Sequence, residues 1–94
     1  MNLYFAAKII ESTKNYIYTR RREHYSDTAL GLKPMDMWDR FLFTEDLVWY
    51  QNGKLLRDEV NSKLVTGLTL EDILADDWIM CDINGNPLMC MKKG

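Results

Sequence analysis

The sequence predicts an α+β fold: a small antiparallel sheet of about five to six strands, with an N-terminal helix and a short second helix packed against it. Three observations support this prediction. Apolar residues recur at helical spacing near the N-terminus, runs with period-two alternation are followed by Asn-Gly pairs, and a capped helical segment begins near residue 69. With 94 residues, the chain has the length of one domain, residues 1–94, and is too short for two.

The first predicted element is an amphipathic helix. Its inward face consists of apolar residues spaced three or four apart, namely Leu3, Ala6, Ala7 and Ile10. Asn2 is a suitable N-cap because its side-chain oxygen can accept a hydrogen bond from an amide of the first turn. Ser12 and Thr13 mark the predicted end of the helix. Residues 15–20 then change to period two and are rich in aromatic and β-branched side chains, which predicts the first strand.

Residues 23–39 have the composition of a long loop. Apolar residues lose their regular spacing there, and several residues favour turns: Ser26, Asp27, Gly31 and Pro34. Loops of this length are often functional. Strands are predicted to resume at residues 40–44 and 47–51. Asn52 with Gly53 then predicts a tight hairpin turn into residues 54–57, because a type I′ turn needs positive φ at both central positions.

The second predicted helix begins at Thr69, an N-cap candidate with Asp72 at the reciprocal position of a capping box. It spans only about two turns. Residues 78–82 predict a further strand, and we expect Trp78 at its start to lie in the core. Asn84 with Gly85 predicts a second hairpin turn, which leads into a last strand at residues 88–91.

The charge balance hides an asymmetry along the chain. The formal net charge is −2, which gives no overall drive toward long nucleic acids. Residues 1–25 nevertheless carry five basic and two acidic side chains, whereas the remainder carries seven and twelve. The potential for binding anions is therefore concentrated in one short segment. No apolar run approaches the about 18 residues that a membrane span needs.

Two features of the sequence bear on the compartment. The N-terminus lacks the basic and apolar regions of a leader peptide. Cys81 and Cys90 without such a signal are expected to be free thiols. Together these features predict a cytoplasmic protein.

Candidate ligand-binding residues lie at the end of the first strand and in the first hairpin. Alternation along a strand sends Arg20 and Arg22 to the same face, where their guanidinium groups can grip a phosphate. The alternative is a solvated strand end, as is usual for charge runs. His24 and Tyr25 follow at once and offer rings that can stack on a base. Each of these rings, taken singly, can equally be structural.

The adjacent pair Trp49 and Tyr50 should point to opposite faces of its strand, so that one of the two is expected outside as a stacking surface. Asp76 and Asp77 lie near the C-terminal end of the second helix, where acids oppose the helix dipole. This placement admits a capping, interface or ligand role.

No pattern in the sequence indicates catalysis or a cofactor. The single histidine has no nucleophile or carboxylate at a recognisable spacing, and the sequence contains no CxxC, HxH, DxD or HExxH motif and no glycine-rich phosphate loop. We therefore expect no enzyme activity, no bound metal and no cofactor.

Residues 72–78, which read DILADDW, resemble the D-[LI]-L-A-x-D-W block of a family of small phage and prophage proteins. That family includes the second type of Thoeris anti-defence protein. The early part of the chain is similar in layout: an amphipathic helix with an Ala pair, a strand, and an arginine followed by an aromatic residue. Here Arg21 or Arg22 fills the arginine position, and His24 or Tyr25 stands where the family has Trp. The resemblance covers about residues 3–82, and residues 83–94 form an additional C-terminal hairpin.

The resemblance implies a sponge that is not an enzyme. Such proteins are homo-oligomers, dimers or typically tetramers, that sequester a cyclic nucleotide immune signal in the cytoplasm of the infected bacterium without cleaving it. Their ligands include cyclic ADP-ribose isomers and cyclic oligonucleotides. Arg20 and Arg22 are then expected on phosphate, His24 or Tyr25 with Trp49 or Tyr50 on a base, and Asp76 or Asp77 on ribose. The alternative is a protein–protein inhibitor or adaptor of a host factor on the same scaffold. A third hypothesis is an enzyme that degrades the signal.

Overall fold

The computed structural model describes residues 1–24, 26–36 and 39–88, with the side chains of 36 and 39–41 left undescribed. Two helices and five strands occur in these ranges. In chain order they are α1 (Leu3–Thr13), β1 (Tyr18–Arg21), β2 (Thr28–Asp36), β3 (Asp39–Gln51), β4 (Lys54–Leu55), α2 (Leu70–Leu74) and β5 (Trp78–Cys81). The predicted α+β class is therefore confirmed.

The five strands form one antiparallel sheet in the order β4-β3-β2-β1-β5. The register places Leu30 of β2 beside both Thr19 of β1 and Trp49 of β3, and it pairs Arg21 with Trp78 of β5. The first strand thus lies inside the sheet, between β2 and β5. Consequently Arg20 and Arg21 at its end are buried rather than placed at an outer edge.

Both helices begin where the capping residues predict. The Asn2 Oδ1 atom accepts a hydrogen bond from the Phe5 amide at 2.9 Å, and α1 ends at Thr13 with Lys14 in the left-handed region. At α2 the predicted capping box is complete, because the Thr69 hydroxyl and the Asp72 carboxylate each accept a bond from the other residue's amide. These ends satisfy amides that the helices themselves leave without partners.

The prediction of a loop over residues 23–39 is wrong, because β2 occupies most of it and β3 runs without interruption through residues 40–51. Gly31 is needed inside the strand because the Tyr18 ring packs directly over it. Pro34 lies between two shifts of the β2–β3 register, where an irregular ladder tolerates a residue that lacks an amide hydrogen. The Asn15 side chain also bonds both the amide and the carbonyl of Leu32. Gly31 and Pro34, which favour turns in general, are therefore part of a strand in this fold.

The sheet is covered on both faces, which divides the core into two clusters. On one face α1 packs over the Trp49–Trp78 cluster, which comprises Ala6, Leu30, Trp49 and Trp78. The other face carries the Tyr18–Tyr50 cluster, which comprises Tyr18, Ala29, Val48, Tyr50 and Cys81, with Leu64 and Ile83 packed against it. The predicted core position of Trp78 is confirmed.

Because both faces are covered, the prediction that either Trp49 or Tyr50 faces solvent is wrong. Alternation does send them to opposite faces, but they are only 6% and 5% exposed. The Trp49 indole donates to the Gly67 carbonyl and the Tyr50 hydroxyl donates to the Leu32 carbonyl. Their polar atoms are therefore engaged in the fold.

The C-terminal turn is present as far as the described residues extend. Gly85 has φ +88°, Pro87 forms a bridge with Cys81, and the Leu88 amide donates to the Met80 carbonyl. Cys81 is a buried free thiol, and burial raises its pKa to about 12. Cys90 and the rest of the predicted last strand lie outside the described residues.

We predict that Gly31→Ala destabilises the protein by about 1–3 kcal/mol, because the added Cβ would lie 2.7 Å from two Tyr18 ring atoms and 2.9 Å from the Asn15 Oδ1 atom. Urea unfolding measures this change. Gly67→Ala is the matched control, since a Cβ there meets no atom within 4 Å, and its expected effect is about 0.5 kcal/mol or less. Equal stability of the two variants would contradict the packing of Tyr18 on Gly31.

Candidate functional site

The three consecutive arginines have three different environments. Arg20 is buried, and its Nε and Nη1 atoms donate to three backbone carbonyls: Gly85 at 2.6 Å, Arg21 at 2.9 Å and Arg22 at 3.0 Å. The guanidinium therefore ties the C-terminal turn to the end of β1. Much of the hydrogen-bonding capacity that the phosphate hypothesis assigns to Arg20 is used by these three carbonyls.

Arg21 joins β1 to the segment around α2. Its Nη1 atom donates to the Asp72 carboxylate at 2.8 Å, and its Nε atom donates to the Asp77 carboxylate. The side chains of Arg21 and Asp72 are both buried. The hydrogen bond from Arg21 lowers the pKa of Asp77, and the positive charge of Arg21 acts in the same direction. Asp77 therefore remains ionised at neutral pH as a partner of Arg21.

Arg21 is absent from the predicted site residues. Strand alternation already separated it from Arg20 and Arg22, but its partners lie more than fifty residues away along the chain. The only signal that could have found the contact is the resemblance, whose two blocks contain the arginine and both acids. The spacing of residues within either block does not predict that the two blocks contact each other.

The 72–78 segment is locked to the core through its tryptophan. The Trp78 indole donates to the Asp72 carbonyl at 3.0 Å, and its ring stacks on Trp49 with centroids 6.2 Å apart and an interplanar angle of 23°. Asp72 is at the same time the N3 residue of the capping box and a partner of Arg21. The block that carries the resemblance is thus an interlocked structural unit.

Four of the predicted site residues lie near one another at the rim of this unit. Arg22, His24 and Asp76 are exposed and Asp77 is half-buried. The Arg22 amide donates to the Asp77 carbonyl at 3.1 Å, and His24 is close enough to influence the pKa of Asp77. Two segments distant in sequence are therefore brought together, with Arg22 lining one surface recess and Asp76 and Asp77 lining another.

The predicted stacking residues do not complete that group. Trp49 and Tyr50 lie in the two core clusters, and Tyr25 lies outside the described residues. Among the described side chains at the rim, His24 is an exposed aromatic ring.

A recess of about 450 Å³ lies beside the rim, along the outer edge of β5. Arg22 and Arg20 form one side, and Ile79, Met80 and Pro87 contribute apolar surface. Its volume is within the range of small-molecule pockets, about 300–1,000 Å³. The recess therefore combines an exposed guanidinium with an apolar wall, which suits an anion that also carries an apolar or aromatic group.

The described residues contain no group of three or more His, Cys, Asp or Glu side chains placed to hold a metal ion. Within these same ranges, no helix is long and apolar enough to cross a membrane.

Comparison with protein-family models, curated proteins and solved structures found no match.

We predict that Arg21→Ala lowers the free energy of unfolding by about 3 kcal/mol or more, because it leaves the buried Asp72 carboxylate without its cation. Thermal and urea unfolding measure the loss. Arg22→Ala removes the same side chain from an exposed neighbouring position and is expected to change stability by about 0.5 kcal/mol or less. If both variants unfold alike, the Arg21 contacts do not hold the segment to the sheet.

Proposed function

We propose that this protein is a phage-derived anti-defence protein, which binds a cyclic nucleotide immune signal and sequesters it without cleavage. The observation that carries the proposal is the contact of Arg21 with Asp72 and Asp77. The two sequence blocks that resemble the anti-defence family are distant in sequence and meet in space through this contact. This supports a similar scaffold, on which the exposed residues beside the contact form the binding site.

The rim supplies the chemistry that a cyclic nucleotide requires. Arg22 is the exposed guanidinium and is assigned to a phosphate, for which its planar fork is suited. Asp76 can accept hydrogen bonds from ribose hydroxyls, and His24 can stack on a base. Arg20 positions the turn that closes the recess, through its bond to the Gly85 carbonyl. Asp77 acts mainly through Arg21.

Isothermal titration calorimetry with cyclic ADP-ribose isomers and cyclic dinucleotides tests the proposal. At least one ligand is expected to bind with a Kd below about 10 μM. Mass spectrometry after denaturation of the complex should recover that ligand unchanged. Absence of binding by every ligand would overturn the function, and recovery of a cleaved product would show an enzyme instead of a sponge.

The variant Arg22→Ala tests the location of the binding site independently of the proposed function. Loss of the exposed guanidinium is expected to weaken binding by about ten-fold or more. Lys8→Ala, which removes an exposed cation from α1 outside the recess, should bind as the unmodified protein does. Equal affinities of the two variants would overturn the assignment of Arg22 while leaving the proposed function standing.

We also propose that the chain functions as a homo-oligomer. The support is an apolar stripe on the outer face of α2, where Leu70, Ile73 and Leu74 are 69%, 50% and 73% exposed. These positions share one face of the helix because they are three and four residues apart. A second subunit that covers this stripe would supply burial that a chain of this length has difficulty providing alone.

Sedimentation equilibrium tests the assembly. The protein is expected to be a dimer or tetramer at about 100 μM, and the double variant Leu70→Glu with Leu74→Glu should shift it to monomer, since two carboxylates cannot be buried without partners. Val60→Glu is the control, because Val60 is 93% exposed in another segment. A monomer that instead forms a stoichiometric complex with a host protein would favour the inhibitor or adaptor.

A further inference from the structure

A second recess lies away from the Arg22 rim and shares no lining residue with it. It has a volume of about 670 Å³ and lies between the β2–β3 pair and the segment that follows β4. Three cations line it, namely Lys33, Arg57 and Lys63, against a single carboxylate, that of Asp46. In a chain whose net charge is negative, this local excess of positive charge is a distinct feature of the surface.

The segment that supplies two of these cations is held in a defined shape by its own hydrogen bonds. Arg57 forms a β-bridge with Leu64, and the Asp58 amide donates to the Lys63 carbonyl at 2.7 Å. The Ser62 amide donates to the Asp58 carbonyl at 2.8 Å, and Ser62 has φ +60°, in the left-handed region. The wall of the recess is therefore formed before any ligand arrives.

Two further bonds fasten this segment to the sheet. The Trp49 amide donates to the Val65 carbonyl at 3.0 Å, and the Leu56 amide donates to the Trp49 carbonyl at 2.9 Å. Leu64 packs against the Tyr18–Tyr50 cluster. On the opposite wall, the Lys33 carbonyl accepts a bond from the Thr44 hydroxyl. The cations thus project from backbones that the core holds at a fixed separation, which lowers the entropic cost of binding.

The three cations of the recess have no ionic partner among the described residues. Of the ion pairs between described residues, none includes Lys33, Arg57 or Lys63. The Arg57 Nη1 atom donates to the Ser62 carbonyl at 2.9 Å, which orients the guanidinium and engages only part of its donor set. The acids Asp58 and Glu59 lie in the same segment but do not line the recess. Within the part of the chain that the structure describes, the positive charge of the recess is therefore not balanced by ion pairs.

We propose that this recess binds a diphosphate, a ligand with two linked phosphoryl groups. Arg57 offers a bidentate fork for one phosphoryl group, and the two lysines from opposite walls provide point charges for the second. Three cations against one carboxylate leave an excess that suits an anion of more than one charge. The hydroxyls of Ser62 and Thr66, together with Asp46, can bond sugar hydroxyls if the diphosphate is part of a nucleotide. This site does not depend on the function proposed for the Arg22 rim.

Titration with inorganic pyrophosphate and with ADP, followed by amide NMR shifts and by calorimetry at constant ionic strength, tests the proposal. At least one of the two is expected to bind with a Kd below about 1 mM, with the largest shifts at Ser62, Lys63 and Thr66. Adenosine, which lacks phosphate, should cause no shifts there. Absence of binding by both probes, or shifts centred elsewhere on the chain, would overturn the site.

Charge-removing variants sharpen the result. Arg57→Ala and Lys63→Ala are each expected to lower the affinity for the probe by about five-fold or more. Lys54→Ala removes an exposed lysine from neighbouring β4, outside the recess, and should change this affinity little. Equal affinities for all three variants would overturn the proposal. Circular dichroism of each variant confirms that the comparison is between folded proteins.

The variant Asp46→Asn distinguishes a nucleotide ligand from recognition of the diphosphate group alone. Either of the two results described below supports the site. It should raise the affinity for pyrophosphate, because it removes a negative charge from the recess. If the natural ligand is a nucleotide whose sugar contacts Asp46, the same variant should lower the affinity for ADP. If the affinity for both probes rises, the recess recognises the diphosphate group alone.

Discussion

The buried contact of Arg21 with Asp72 is the constraint from which much of the architecture follows. A guanidinium and a carboxylate removed from water must face each other closely, because either one alone would carry a large desolvation penalty. This requirement turns the acidic position of α2 toward the sheet. On a helix of only five residues, Leu70, Ile73 and Leu74 are then directed toward solvent. The helix is thus amphipathic in the reverse sense, and its apolar face is presented outward because its charged residue is needed inside.

Coverage of both sheet faces determines where recognition can occur. The rings of Trp49, Trp78, Tyr18 and Tyr50 pack within the two core clusters, with contacts between rings on each face. Such burial stabilises a small domain strongly, because each ring removes a large apolar area from water. It also leaves little of their ring surface exposed to a ligand. Binding chemistry is consequently left to side chains at the ends of strands and in the segments between them.

Local signals predicted the helices well, and the sheet less well, for the same physical reason. Asn2 and Thr69 act on amides within three residues of themselves, so their effect is contained in the sequence nearby. The conformation around Gly31 is instead decided by Tyr18 and Asn15, which approach from another strand. A glycine that relieves a close contact and a glycine that forms a turn are identical in sequence. The burial of Trp49 and Tyr50 likewise depends on covering elements that alternation within one strand does not contain.

The arginine run shows why a count of charges says little about binding. Three adjacent guanidinium groups raise the local charge equally, yet one is spent on backbone carbonyls, one on two carboxylates, and one lies exposed. The difference arises because the side chains of Arg20 and Arg21 point to opposite faces of β1, and the strand ends before Arg22. Lys33, Arg57 and Lys63 are scattered in sequence, but folding places them around one recess without ion-pair partners among the described residues. The capacity to bind anions therefore follows the cations that the architecture leaves unused, and only the assembled fold determines which those are.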